Sequence, residues 1–127
     1  MNMNGIDLIN AERLRQQAPI EEGGEGFDAP HDAGHWVRHL AAAAACYEAA
    51  EGPDLPLPET WPWGAGWWKP RSRRRNLERA GALYLAAAEA FARRKPAIAS
   101  DPTGYGAQLR ARADACAAAI DALSAEG

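Results

Sequence analysis

Residues 53–71, PDLPLPETWPWGAGWWKPR, separate two Ala-rich stretches and constrain the fold more than any other feature. Five Pro and two Gly exclude a regular helix, and the missing backbone donors exclude a central strand. A loop this long within a compact domain is functional or packed by its own side chains. Trp61, Trp63, Trp67 and Trp68 argue for packing.

The stretches on either side read as helices. The chain holds 30 Ala but only 18 residues of Leu, Ile, Val and Phe. With a net charge of −3 and Ala in periodic blocks, this composition points to thin, closely packed helices. The first helix spans 4–18, capped by Asn4 or Asp7, with Ile6, Ile9 and Leu14 as apolar points and Pro19 as its stop. Residues 19–31 read as a loop. The second helix spans 32–51, with Asp32 as N-cap, Trp36, Leu40, Ala44 and Tyr47 on one face, and Gly52-Pro53 as terminator. The third runs over 72–95 from Ser72, with Leu77, Ala80, Tyr84, Ala88 and Phe91 sharing a face. Arg93, Arg94 and Lys95 complement its C-terminus before Pro96. The fourth spans 103–124, capped by Asp101 or Thr103. The expected fold is all-α: a single domain over 1–127, a bundle of about four helices with the Trp/Pro-rich loop packed across it.

In the fourth helix Leu109, Ala113, Cys116, Ile120 and Leu123 recur at spacings of 4, 3, 4 and 3, a coiled-coil-like seam. A core this poor in large side chains buries little area, so the seam predicts a homo-oligomer formed through the C-terminal helix. No run approaches the roughly 20 apolar residues of a membrane span, and MNMNGIDLIN lacks the features of a signal peptide. Cys46 and Cys116 lack metal or redox spacing and read as buried thiols of a reducing compartment. A soluble cytoplasmic protein without membrane contact is expected.

Charge narrows the chemistry. Glu21, Glu22, Glu25, Asp28 and Asp32 make one acidic stretch; Lys69, Arg71, Arg73, Arg74, Arg75 and Arg79 make one basic stretch. A mildly acidic chain with one basic cluster is not a general nucleic-acid binder, and the cluster suits a local anion. His31, His35 and His39 stand four apart; on one helix the outer pair would be about 12 Å apart, too far to share an ion. No second ligand cluster answers them, so no metal or cofactor is expected, and His31 and His35 read as a structural or ligand-contacting pair. Glu48 and Glu51 form an ExxE, as in all-helical pyrophosphohydrolases of the MazG type, whose paired ExxE and ExxD motifs hold magnesium. The second motif is missing: three places beyond Glu78 stands Gly81, and beyond Glu89 stands Ala92. No nucleophile constellation or Gly-rich phosphate loop appears, so no catalytic residue is assigned.

The Trp cassette carries the strongest signal. Its rings can supply the core that Ala-rich helices lack, or a stacking wall for a flat ligand whose phosphates meet the adjoining cations. Around the start of the third helix, Arg74 can turn toward Glu78, which leaves Arg71 and Arg75 on one face beside Trp67, Trp68 and Lys69. These five, with His31 and His35, are the candidate ligand-binding residues.

The order of motifs resembles a family of small helical proteins of bacteriophages and prophages, with the pattern ERxRQ, EG, HDxxH, AAxCY, WPW, WWKP and LxxAGAL. The matching pieces are Glu12-Arg13-Leu14-Arg15-Gln16, Glu25-Gly26, His31-Asp32 with His35, and Ala44-Ala45-Cys46-Tyr47. They continue with Trp61-Pro62-Trp63, Trp67-Trp68-Lys69-Pro70 and Leu77 to Leu83, so the likeness spans 12 to about 93. Relatives carry an acidic residue soon after AGAL, where this chain has Ala86, Ala87 and Ala88. The resemblance implies a phage setting, hence the host cytoplasm, but no set activity. The leading expectation is non-enzymatic binding of a nucleotide-like small molecule, as a counter-defence protein sequestering a host signalling nucleotide. The alternatives are a helical protein-interaction, inhibitory or structural phage protein, and a divergent MazG-like pyrophosphohydrolase.

Overall fold

The computed structural model describes residues 3–17, 37–94 and 104–126. The described residues form four α-helices: α1 (Gly5–Gln17), α2 (Val37–Ala49), α3 (Arg73–Arg94) and α4 (Tyr105–Glu126). A single 3-10 turn, Ala65–Trp67, interrupts the segment between α2 and α3. No strand occurs among the described residues, and the helices pack on one another, so the chain is all-α as expected. The expected first turn of the second helix, including Asp32 and Trp36, lies outside the described residues, as do Pro96 and the cap choices Asp101 and Thr103.

Local capping follows the sequence. Asn4 Oδ1 accepts from the backbone N–H of Asp7 at 2.9 Å, and the Asn4 N–H reaches back to Asp7 Oδ2 at 3.4 Å. The two candidate caps therefore act as a reciprocal pair. Ser72 Oγ accepts from the Arg75 N–H at 3.2 Å and starts α3.

Helix α3 is central: it packs against α1, α2 and α4. Nearly every residue from Asn76 to Ala88 is buried, because three neighbours cover it. Small residues make that possible. At Gly81 an added Cβ would strike the side chain of Ile9, and at Gly5 it would strike the backbone of Ala117. Gly5 also donates its N–H to Asp121 at 2.7 Å, so α1 and α4 meet at backbone contact distance.

Leu109, Ala113, Cys116 and Ile120 are all at most 3% exposed, in the same core as Leu77, Leu83 and Tyr84. The seam read as an association surface is thus covered within the chain itself. Its helical spacing is that of any bundle helix facing a neighbour. Among the described residues no helix is long and apolar enough to cross a membrane.

The C-terminus of α2 is closed by α3. Arg73 donates to the carbonyls of Glu48 and Ala50, satisfying groups that helix geometry leaves open. Asn76, fully buried, places its amide nitrogen within reach of the carbonyls of Ala50, Gly52 and Arg71 and accepts from the Arg71 N–H at 2.6 Å. One side chain thereby fixes both ends of the Trp/Pro-rich segment.

Candidate functional site

Tyr47 is the post around which the Trp segment is wound. Its ring meets Trp61 edge-on at 5.7 Å and Trp68 at 4.9 Å; Trp61 also meets Trp63 at 5.5 Å and Trp68 at 5.1 Å. Indole donors are used locally, Trp61 Nε1 to the Gly64 carbonyl and Trp68 Nε1 to the Leu55 carbonyl, both at 3.1 Å. The Tyr47 hydroxyl accepts from the Lys69 N–H at 3.1 Å and donates to the Trp67 carbonyl at 3.4 Å. Arg79 lies over the Tyr47 ring at 5.6 Å and donates to the Lys69 carbonyl at 2.8 Å. The backbone of residues 67–69 is thereby pinned to α2 and α3.

That pinning sorts the four Trp residues into two roles. Trp61 is buried, and Trp63 and Trp68 pack against the core. Trp67 stays 46% exposed, with the Lys69 ammonium 5.8 Å from its ring. Beside it lies a small recess with an aromatic wall of Tyr47, Trp61, Trp63 and Trp67; Gln16, Arg79 and Leu83 also line it. As the side chains stand, it has room for about one water.

Among the residues that line it, Gln16 and Arg79 each bury a polar atom, Oε1 and Nε, that has no hydrogen-bond partner among the described residues. The orientation of Gln16 is fixed by chemistry: its amide nitrogen donates to Glu12 at 3.1 Å, and an ionised carboxylate can only accept. The carbonyl end is therefore the end left over.

The cations expected to gather around the Trp residues divide. Arg75 is bound elsewhere, at 2.7 Å to Glu12 and 2.8 Å to Glu78. Arg74 reaches Glu78 at 3.5 Å, as its spacing suggested. Arg71 is exposed and bonds the Pro70 carbonyl at 3.1 Å. Trp67, Lys69 and Arg71 thus remain on the surface, while Trp68 is a packing ring and Arg75 is committed to carboxylates. His31 and His35 lie outside the described residues; His39 is exposed.

Glu12, which draws Arg75 away, has no exposed side-chain surface. Burial alone would raise its pKa. The hydrogen bond from Arg15 and the charges of Arg75, Arg15 and Arg79 outweigh burial and hold the carboxyl below the ordinary glutamate range. This buried pairing had no sequence signal, because Glu12 and Arg75 sit on helices that meet only in the fold. Gln16 and Arg79 were missed for the same reason.

The ExxE pair splits in the fold. Glu48 accepts from the Tyr84 hydroxyl at 2.6 Å and lies 3.5 Å from Arg112, which also donates to Tyr84 at 3.2 Å. Burial, then the Glu48 bond, push the Tyr84 phenol above its usual range. Glu51 points outward, 83% exposed, toward Arg73 at 3.8 Å. Among the described residues no group of three His, Cys, Asp or Glu is placed to hold a metal ion. Both thiols are free and buried, and burial, with Glu48 nearby, pushes Cys116 up to about 12.

No protein-family model, curated protein or solved structure matches this chain. The functional reading therefore rests on the geometry above.

Proposed function

We propose that this protein binds a flat, anionic small molecule of nucleotide type without transforming it, at the rim formed by Trp67, Lys69 and Arg71. The observation that carries the reading is Trp67: a large ring, 46% exposed, whose backbone N–H and carbonyl are bonded to Gly64 and Tyr47, with a cation over its face and a recess that it helps to line. A ring fixed before binding loses little conformational entropy when a heterocycle stacks on it. Lys69 and Arg71 lie on the same exposed stretch and suit phosphate oxygens. Arg75 has no part in this version of the site. A phage counter-defence role, sequestering a host signalling nucleotide in the host cytoplasm, extends this reading by way of the motif resemblance.

The test is calorimetry of wild type, Trp67→Ala and Lys69→Ala against nucleoside mono-, di- and triphosphates and cyclic dinucleotides. Binding to wild type and loss of about tenfold or more in each variant is expected, as stacking and charge-assisted bonds are each worth more than about 1.4 kcal/mol. Melting temperatures should stay within a few degrees of wild type. If wild type takes up none of these compounds at millimolar concentration, the reading is wrong.

A second reading, a helical protein-interaction surface, is favoured by α1, which leaves Ile6 55% and Leu14 68% exposed about two turns apart. It requires that Ile6→Ser/Leu14→Ser abolish capture of a protein partner while nucleotide binding persists.

A further inference from the structure

We infer that the Trp/Pro-rich segment is a self-recognition surface: residues 54–59 of one copy of this chain dock against Trp67, Lys69 and Arg71 of a second copy, around a two-fold axis. Six large apolar side chains stay exposed among the described residues. Met3, Ile6 and Leu14 lie on or just before α1, while Leu55, Leu57 and Trp67 share this one segment. Leu55-Pro56-Leu57-Pro58 alternates an apolar residue with Pro. Each Pro fixes its own φ and each Leu before a Pro is held extended, so the stretch is stiff without helix or strand bonds. Its ends are tied down. Trp68 Nε1 donates to the Leu55 carbonyl and the Trp61 N–H donates to the Pro58 carbonyl, both at 3.1 Å. Association through such a stretch leaves little to be ordered.

The bond from Trp68 also sets this strap beside the rim of Trp67 and Lys69 on the same molecule. The two halves are complementary. The strap carries its apolar residues between Asp54 and Glu59; the rim carries Trp67, the Lys69 ammonium 5.8 Å from that ring, and Arg71. All four charged residues are exposed, and among the described residues none of them makes an ion pair. Docking of an extended Pro-rich stretch on aromatic side chains is a recurring mode of recognition. Side by side on one chain, the halves leave their charges unmatched. A two-fold rotation about an axis between them places each half opposite its complement on the other copy, as an isologous interface requires. A second copy is thus the partner whose chemistry this surface itself supplies. Apolar contact provides the binding, and the exposed ion pairs fix orientation more than they add affinity. The patch is small, so a weak dimer is expected, with a Kd of about 10 μM to 1 mM.

Sedimentation equilibrium of the full chain, without nucleotide, tests the pairing. The average mass of wild type should rise with concentration from that of one chain toward twice that value, up to about 1 mM. Leu57→Ser should weaken association by about tenfold or more, and so should Asp54→Lys/Glu59→Lys and Lys69→Glu/Arg71→Glu. Mixed in equal amounts, the two charge-reversed proteins should associate at least about tenfold more tightly than either does alone, because each presents the charge that the other now needs. Should a charge-reversed protein not fold, wild type and Leu57→Ser decide. A wild type that stays monomeric to about 1 mM overturns the interface. So does a dimer unchanged by Leu57→Ser, or a mixture of folded charge-reversed proteins that associates no better than its components. Calorimetry with nucleotides is read separately: uptake by a monomeric wild type leaves the small-molecule site standing while this interface falls.

Discussion

The carboxylate of Glu12 and the guanidinium of Arg75 meet at 2.7 Å between α1 and α3, with the carboxylate wholly out of solvent. Arg15 adds two bonds to the same carboxylate, at 2.8 and 2.9 Å, and Gln16 adds one at 3.1 Å. A buried carboxylate needs such company, since its desolvation is offset only by well-placed donors. Glu12→Gln should lower stability by about 3–5 kcal/mol, the scale for breaking a buried pair, as read from urea unfolding at pH 7.

The same group sets a pH dependence. Glu12 titrates lower in the folded chain than in the unfolded chain. As pH falls through about 4.3 the unfolded chain takes up the proton first, so the stability due to Glu12 is present above that pH and lost below it. Between pH 5 and pH 3 wild type should therefore lose more stability than Glu12→Gln loses over the same interval. Parallel curves for the two proteins would show that Glu12 is not held ionised.

Asn76 offers a sharper test of how the Trp segment is anchored. Asn76→Ala removes the Asn76 bonds to the Gly52 and Arg71 carbonyls and to the Arg71 N–H, while the Ala50 carbonyl keeps Arg73, and should cost about 2–4 kcal/mol. Asn76→Asp should cost more, because a carboxylate would face the carbonyls of Ala50, Gly52 and Arg71. Thermal melts with near-ultraviolet circular dichroism of the Trp residues would follow both the stability and the packing of the loop.

Gly5→Ala should be damaging in spite of the better helix propensity of Ala. The new methyl would meet the backbone of Ala117, which cannot rotate away as a side chain can. A loss of about 1–3 kcal/mol, the range for overpacking, is expected in chemical denaturation. An unchanged midpoint would mean that α1 and α4 do not approach this closely.

Ile120 distinguishes a core seam from an intersubunit seam. It is 1% exposed within the chain's own bundle, so Ile120→Glu places an unpaired charge in that core. The expected result is loss of the cooperative thermal transition at every protein concentration. A folded variant differing from wild type only in sedimentation mass would instead place the residue between subunits.

Much of this architecture was legible in the sequence because its causes are local. Pro and Gly exclude helix over 53–71, Asn4 and Ser72 accept bonds from N–H groups three residues ahead, and Ala-rich blocks favour helices that can approach closely. Arg74 found Glu78 because four residues make one helical turn. What the tertiary structure decided depended on which helix faces meet. The seam of α4 was visible, but that α3 and α1 cover it was not. Arg75 had the position of an anion ligand until Glu12 arrived from α1, and the four Trp residues were equal in sequence until Tyr47 and Arg79 fixed the backbone beside Trp67. Short-range spacing sets an element and its periodic face; pairing between distant residues exists only once the chain has closed, and burial then determines which charges are matched and which ring stays in water.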